Sequence, residues 1–306
     1  MAGRILVIRG GAIGDFVLTL PAIGLLREAF PETHLEILGY RHIVAIAEGR
    51  HYANATRSIE YAGLAGFFNP KSELDPELSE YFASFNQVIS YLYDPDGFFE
   101  GNLRRAGVKN LLVGDPRITD QAHASVQLAR PLEALALYLE SPVSKLFPSP
   151  EDLEAATSWP ENAIAIHIGS GSPRKNWPAE RWASLIDAFP ATHPILVIAG
   201  ESDAESLAAV RRISTKSNVH FLENLPLPVL AAVLSRSRLF LGHDSGISHI
   251  AAATGVPCVL LFGPTDPAIW APAGDHVRIL RSESRKLHDI ELESVRRIAD
   301  SLLHDE

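Results

Sequence analysis

The sequence predicts an α/β protein with two domains, each built on a doubly wound parallel sheet. At 306 residues the chain is long enough for two domains with separate cores. Short apolar runs alternate with amphipathic stretches of helical period in two successive series, as in βαβ units. Four prolines between residues 141 and 160 would interrupt helices and sheets, so we place the linker there. The predicted domains are residues 1–150 and 151–306.

The first series opens with a βαβ unit. Residues 4–9 form a β-branched run that stops at two glycines, residues 15–30 have helical period, and residues 34–38 read as the next strand. Segment 61–80 fits neither pattern clearly. The other predicted elements of this series are strands at 87–92 and 110–113 and a helix at 122–139.

The second series is more regular and predicts a second α/β domain. Its predicted strands are 163–168, 195–199, 219–222, 239–242 and 257–262. Its predicted helices are 178–189, 204–213, 227–235, 246–254 and 289–303. The last helix carries an apolar stripe, so it must pack on another element, and in related folds such a helix often packs back on the first domain.

Composition narrows the classes of function. A net charge of −10 disfavours a surface that neutralises a nucleic-acid backbone. The single cysteine, Cys258, lies in an apolar run and has no partner for an internal disulfide, which favours a reducing compartment and a core position. No stretch reaches the length of a signal peptide's apolar region or of a membrane span. We therefore expect a soluble, cytoplasmic protein without an integral membrane segment.

Three loops follow predicted strands at the edge where doubly wound sheets bind ligands. The first joins the strand at 4–9 to the helix at 15–30. Its glycines at 10, 11 and 14 match neither a dinucleotide fingerprint nor a phosphate-binding P-loop. It delivers one carboxylate, Asp15, to a helix start, which stabilises a negative charge by about 0.3–1 kcal/mol. Asp15 either serves a reaction or simply caps the helix.

The second loop, residues 167–178, has the composition of a diphosphate site that works without a metal ion. Small residues let backbone amides approach an anion, and two cationic side chains add charge. The candidate residues are Ser170, Gly171, Arg174 and Lys175. A solvated polar loop would show the same composition.

The third loop, residues 242–249, ends a strand and opens a helix. A phosphate at this helix start would meet unpaired amides, a hydroxyl and an imidazole one turn further on. The candidate residues are Asp244, Ser245, Gly246 and His249.

Taken together, these segments resemble the glycosyltransferase family 9 heptosyltransferases. The resemblance covers nearly the whole chain in four ordered motifs. They are Gly14-Asp15 with Leu20-Pro21-Ala22, Lys175-Asn176-Trp177-Pro178 with Arg181-Trp182, the segment 244–249, and the segment 262–267. The chain departs from many relatives in having Gly11 and Ala12 where they carry serines.

The resemblance implies a GT-B fold with two Rossmann-like domains facing a central cleft, the acceptor bound to the first and the nucleotide sugar to the second. It implies an inverting, metal-independent transfer, with heptose from ADP-heptose as the expected donor and a glycan or lipid-linked glycan, such as lipopolysaccharide, as acceptor. It also implies that Asp15 next to Gly14 is the general base and that Ser170 and Lys175 contact the diphosphate. The remaining donor contacts would come from the third loop, with adenine near Gly200-Glu201 and residues 222–225. No cofactor is expected.

Two other functions remain open. A nucleotide-sugar epimerase or hydrolase would share the fold but need no acceptor, and an inactive relative would only bind the nucleotide sugar. The segment 93–97 contains two aspartates that could suggest a metal-dependent transferase, but its Pro-Asp-Gly is typical of a turn. A hydrolase triad of Asp244, Ser245 and His249 is disfavoured because three members within six residues cannot easily adopt triad geometry.

Overall fold

The computed structural model describes residues 3–119, 121–214 and 216–304. The chain divides into two compact units, Met1–Pro142 and Val143–Glu306. The division falls at the first of the four prolines of the predicted linker region.

The first unit contains a five-stranded sheet whose paired strands all run parallel. Its strands are β1 (Arg4–Arg9), β2 (His34–Gly39), β3 (Ala55–Ser58), β4 (Gln87–Ser90) and β5 (Leu111–Val113). They lie in the order β3-β2-β1-β4-β5, so the chain reverses its direction across the sheet between β1 and β4. Ligands bind at such switch points in doubly wound sheets.

Helices cover both faces of this sheet, which explains why β1 reads as a continuous apolar run. The helices are α1 (Ile13–Ala29), α2 (Arg41–Val44), α3 (Pro76–Ala83), α4 (Phe98–Arg105) and α5 (Ala124–Ala129), with 3-10 helices at Ala62–Phe68 and Arg130–Leu135. One core cluster joins Leu6 and Ile8 of β1 to Phe82 and Phe99 of the helices. Asp94–Gly97 forms the expected turn, with Gly97 at φ +67°.

The second unit contains a six-stranded sheet, and its paired strands are also all parallel. Its strands are β6 (Ile164–His167), β7 (Ile195–Ala199), β8 (Val219–Glu223), β9 (Leu239–His243), β10 (Cys258–Phe262) and β11 (Val277–Arg281). The order β11-β10-β9-β6-β7-β8 is that of a Rossmann sheet, with the switch point between β6 and β9. The loops after these two strands are the second and third candidate loops of the sequence.

The helices of the second unit are α6 (Pro150–Ala156), α7 (Ala179–Ala188), α8 (Ala204–Ile213), α9 (Leu227–Ser235), α10 (Gly246–Ala253), α11 (Pro267–Trp270) and α12 (Leu292–His304). The final helix, α12, packs against α7, β9 and β10. Its buried residues Val295, Ala299 and Leu303 join the core of this unit. Cys258 is fully buried in β10, as its sequence context predicted.

Two sequence predictions of local structure are wrong. The helix predicted at 122–139 ends at Ala129 and continues only as a 3-10 helix, because Pro131 has no N–H to donate to the preceding turn. The predicted linker contains a helix, α6. There the Ser149 hydroxyl and the Asp152 carboxylate each accept a backbone N–H of the other residue, and Pro150 occupies the first helical position. Within the described residues, no helix is both long and apolar enough to cross a membrane.

Candidate active site

Asp15 lies in the first turn of α1, directly after the end of β1 at the switch point of the first unit. One carboxylate oxygen, Oδ2, accepts a hydrogen bond from the Ala12 amide at 2.8 Å. The other, Oδ1, lies 3.9 Å from the Arg9 guanidinium. The Asp15 side chain is 36% exposed.

Arg9 is buried beneath this carboxylate. Its guanidinium donates to the Thr19 hydroxyl at 3.0 Å and to the carbonyls of Tyr91 and Asp15. Burial lowers the pKa of Arg9, and the charge of Asp15 partly offsets that effect. Arg9 thus ties the start of α1 to the end of β4 and places a positive charge behind the Asp15 carboxylate.

In the second unit, Lys175 and Asp244 bring together the loops after β6 and β9. Lys175 Nζ donates to Asp244 Oδ2 at 2.6 Å, and the Thr265 hydroxyl donates to the same oxygen at 2.5 Å. Asp244 is buried, whereas the Lys175 side chain is 30% exposed. Lys175 is therefore partly open to solvent, and the buried Asp244 carboxylate holds its ammonium group in place.

His243, the last residue of β9, anchors the loop that carries Lys175. Its Nε2 accepts from the Trp177 amide at 2.8 Å and from Trp182 Nε1 at 3.2 Å, so Nε2 is the unprotonated nitrogen. Its Nδ1 then donates to the Gly169 carbonyl at 3.2 Å. Complete burial lowers the pKa of His243 to about 3, which keeps the imidazole neutral.

The N-terminus of α10 lies next to this pair of loops. Ser245 is the N-cap residue, and its hydroxyl accepts from the Ser248 amide. Gly246 is the first residue of the helix, and His249 is buried one turn further on. The helix dipole and the amides of this turn favour an anion here.

His167, which is also buried, contacts Ser245. His167 Nδ1 lies 3.1 Å from Ser245 Oγ, and His167 Nε2 lies 3.3 Å from Asp203 Oδ2. Burial by itself would raise the pKa of Asp203, but hydrogen bonds from His167 and from the Gly200 amide outweigh burial and lower it. Asp203 packs so closely on the loop after β6 that a Cβ at Gly169 would lie 1.8 Å from its Oδ1.

The remaining predicted residues of the second loop occupy different environments. The Ser170 hydroxyl is buried and bonds within the loop, 2.8 Å from the Ser172 carbonyl and 2.7 Å from Asn176 Oδ1. Gly171 and Arg174 are exposed. Contact of any of these three with a diphosphate stays a prediction.

Glu201 lies at the rim of an open cavity of about 540 Å³. The cavity runs along α8 between the ends of β7 and β8, and its lining includes Gly200, Glu201, Ala204, Ala208, Glu223 and Asn224. A volume of this size suits a small-molecule ligand. Among the described residues, no group of three or more His, Cys, Asp or Glu could hold a metal ion.

Sequence reasoning missed four residues of this region. Thr265 lies in a motif that the sequence singled out, but its bond to Asp244 spans 21 positions. His167, Asp203 and His243 each end or follow a strand at the ligand edge of the sheet. Their place at a strand end is visible in the sequence pattern and could have identified them as candidates.

Comparison with known proteins shows consistent similarity. The family described as glycosyltransferase family 9 (heptosyltransferase) matches residues 115–297, more than half of the chain. Lipopolysaccharide heptosyltransferase 3 of Escherichia coli is 25% identical over 291 residues, which cover 85% of this chain and 83% of that protein. Lipopolysaccharide heptosyltransferase 1 of Pseudomonas aeruginosa is 33% identical over 100 residues, 33% of this chain and 28% of that protein.

Two solved structures show the same fold over nearly the whole chain. A family 9 glycosyl transferase from Veillonella parvula superimposes with a TM-score of 0.81 at 21% identity, covering 99% of this chain and 98% of that one. The E. coli heptosyltransferase WaaC with ADP gives a TM-score of 0.75 at 17% identity, covering 98% and 99%.

Proposed function

The chain belongs to glycosyltransferase family 9, and from this membership we propose that it transfers heptose from ADP-heptose to a hydroxyl group of a glycan acceptor. It is a glycosyltransferase with the GT-B fold of two Rossmann-like domains. Similarity to lipopolysaccharide heptosyltransferases over most of both chains supports a lipopolysaccharide acceptor. The solved relative with bound ADP supports an ADP-linked donor.

The observation that carries this proposal is the placement of Lys175 beside the N-terminus of α10. A departing diphosphate needs positive charge and amide donors where its own negative charge develops. Lys175 and the first amides of α10 supply both at one edge of the sheet. We infer that the diphosphate binds there without a metal ion. Asp244 would hold the Lys175 ammonium in place and accept a hydrogen bond from a sugar hydroxyl. As a carboxylate, it would not contact the phosphate directly.

The cavity along α8 supports a place for the nucleoside. It begins at Gly200 and Glu201, directly after β7, and β7 is the neighbour of β6. Its Glu201 carboxylate can accept hydrogen bonds from ribose hydroxyls or from the amino group of adenine, whereas Glu223 is paired with Arg211, which lines the same cavity. We infer that adenosine lies in this cavity with its diphosphate directed toward Lys175.

Asp15 is the proposed general base. Attack on the anomeric carbon from the face opposite the diphosphate inverts its configuration and needs one base to take the acceptor proton. Oδ1 is the Asp15 oxygen suited to that role, because Oδ2 already accepts the Ala12 amide N–H.

Substitution of Lys175 tests the donor site. Lys175→Met should weaken ADP binding at least about 10-fold, because it removes one charge-assisted contact. Lys216→Met is the matched control, because Lys216 contacts the Phe189 carbonyl at the opposite edge of the sheet and should leave ADP affinity unchanged. Isothermal titration calorimetry measures both. Equal affinity in the Lys175 variant and the wild type would remove Lys175 from the donor site.

An acceptor experiment separates transfer from the epimerase and hydrolase alternatives. The enzyme is incubated with ADP-heptose, with and without lipopolysaccharide isolated from cells that lack heptose, and ADP release is followed. Transfer predicts release only with the acceptor, together with a heptose-sized mass increase in the lipid. Release without acceptor would instead favour a hydrolase or epimerase.

A further inference from the structure

Three side chains of the second unit form a hydrogen-bonded chain that ends at the start of α10. Asp203 bonds to His167, and His167 bonds to the N-cap hydroxyl of Ser245. Asp203 and His167 are 3% and 4% exposed, whereas Ser245 is partly open to solvent. The proposed mechanism assigns no role to Asp203 or His167.

The geometry fixes which atoms donate when the imidazole is neutral. Hydrogen bonds hold Asp203 as a carboxylate, which can only accept, so His167 Nε2 carries the proton and donates to it. His167 Nδ1 then carries a lone pair and accepts the Ser245 hydroxyl proton at 3.1 Å, because a hydroxyl turned instead to Ser248 Oγ at 3.2 Å would leave this buried nitrogen without a donor. In this state the Ser245 hydroxyl points inward, toward the protein.

A phosphate at the start of α10 requires the opposite orientation. Phosphate oxygens accept hydrogen bonds, so the Ser245 hydroxyl would have to turn outward and donate to them. If nothing else changed, His167 Nδ1 would be left buried without a partner, at a cost of about 1–3 kcal/mol. A proton on Nδ1 removes that penalty, because the imidazolium donates to Ser245 Oγ while the Ser245 hydroxyl donates to the phosphate.

We propose that Asp203 and His167 are positioning residues for the donor diphosphate, and that binding of the diphosphate draws one proton from solvent onto His167. This inference rests on the proposed function, because it needs a diphosphate at α10. The proton stays on His167 during transfer. As the acceptor oxygen bonds to the anomeric carbon and gives its proton to Asp15, the bond from that carbon to the phosphate oxygen breaks. Its electron pair remains on the phosphate oxygen, and the Ser245 hydroxyl donates to the charge that develops there.

The charged groups around His167 are consistent with this proton uptake. Asp203 comes from the 3-10 helix Glu201–Asp203, and His243 and Asp244 come from the end of β9. His243 is held neutral by burial, and Asp244 is neutralised by Lys175. The Asp203 carboxylate and the incoming diphosphate therefore both favour a cation between them.

Calorimetry with ADP-ribose tests the proton uptake. Each phosphate of this ligand keeps one fixed charge near neutral pH, so any proton exchanged with the buffer comes from the protein's own groups. Titrations at pH 7.5 in two buffers of different ionisation enthalpy should show uptake approaching one proton per ligand. Affinity should accordingly fall as pH rises, by up to about 10-fold per pH unit.

Three variants assign the proton. His167→Gln removes Nδ1, and Asp203→Asn removes the charge that favours the cation, so both should lose the uptake. Ser245→Ala should also lose it, because no hydroxyl then needs a donor. Ser301→Ala is the control and should retain uptake, since the Ser301 hydroxyl bonds to the Ile298 carbonyl within α12. Circular dichroism verifies that each variant is folded.

The outcomes separate the two proposals. Binding of ADP-ribose without proton uptake in the wild-type protein overturns the role of His167 and leaves the proposed function intact. Proton uptake that persists in Ser245→Ala also overturns the role of His167, because the uptake would then be caused by the negative charge of the ligand and not by the orientation of the Ser245 hydroxyl. Absence of binding by both ADP and ADP-ribose in the wild-type protein would instead count against the proposed function itself.

Discussion

The position of Asp15 depends on the conformation of Gly11. Gly11 has a φ of +97°, a value that side chains with a Cβ rarely adopt. A Cβ there would also lie 2.7 Å from Asp15 Oδ2. A serine at position 11 would therefore be strained and would clash with the carboxylate. The backbone turn and the Ala12 amide, rather than neighbouring hydroxyls, orient the carboxylate.

Asp15→Asn removes the proposed base while keeping its shape. We expect kcat to fall at least about 100-fold, the usual contribution of a general base, with donor affinity nearly unchanged. Steady-state kinetics with ADP-heptose and acceptor, together with ADP titration, measure the two quantities. Asp75→Asn is the control, because asparagine caps α3 as well as aspartate does. Undiminished turnover in the Asp15 variant would exclude it from the mechanism.

At the scale of single residues, the sequence predicted positions better than contacts. Lys175 and Asp244 were both candidates, yet their ion pair joins loops 69 positions apart in the chain. The tie from Asp203 to His167 likewise depends on the sheet bringing β6 and β7 side by side. Local patterns reveal which residues end strands, but only the strand order determines which strand ends meet.

At the scale of elements, one buried imidazole connects β9 to the loop that carries Lys175. His243 accepts two N–H groups from the tryptophan segment and donates to Gly169 at the start of that loop. Because its pKa is about 3 in the folded protein, well below the value of 6.5 for an unperturbed histidine, protonation favours the unfolded chain. Its contribution to stability is complete above pH 6.5 and is lost as pH falls toward 3.

His243→Asn should change the acid stability of the protein. At pH 7.5 we expect it to lower the free energy of unfolding by about 2–4 kcal/mol, since it leaves buried donors without acceptors. Below pH 6.5 the wild type should lose stability more steeply than the variant, by up to about 1.4 kcal/mol per pH unit. Urea unfolding between pH 7.5 and pH 4.5 measures this difference. His220→Asn, at an exposed position of β8, should keep the wild-type slope.

Helices and strands with a clear hydrophobic period were predicted from the sequence. Those with a weak hydrophobic pattern, or whose prolines suggested a loop, were missed. The boundaries of β1, β7, α8 and α9 agree with their periodic patterns. By contrast, the edge strands β3 and β11 have no fully buried residue, so their hydrophobic patterns are weak. The helix α6 was not predicted, because its prolines were taken to interrupt helices. At the first helical position, where Pro150 lies, proline favours a helix.

At the scale of the whole molecule, each unit has a hydrophobic core of its own. One cluster is built from residues of β1 and α4, and the other from residues of β6, α7 and α12. The aromatic side chains divide in the same way. All seven tyrosines lie before residue 143, and all four tryptophans lie after it. Tryptophan emission therefore reports on the second unit alone, and tyrosine signals report on the first.

This division provides a test of where the donor binds. A ligand stabilises the folded state to which it binds by RT ln(1 + [L]/Kd), about 2.7 kcal/mol when ADP is present at about 100 times its Kd. If ADP binds the second unit, it should raise the midpoint of thermal unfolding followed by tryptophan emission more than the midpoint followed by the near-ultraviolet dichroism of tyrosine. Lys175→Met, which binds ADP at least about 10-fold more weakly, should reduce this stabilisation to about 1.4 kcal/mol or less and shrink the tryptophan shift accordingly, and Asp15→Asn should preserve it. A shift confined to the tyrosine signal would place the nucleotide in the first unit and reverse the assignment of donor and acceptor.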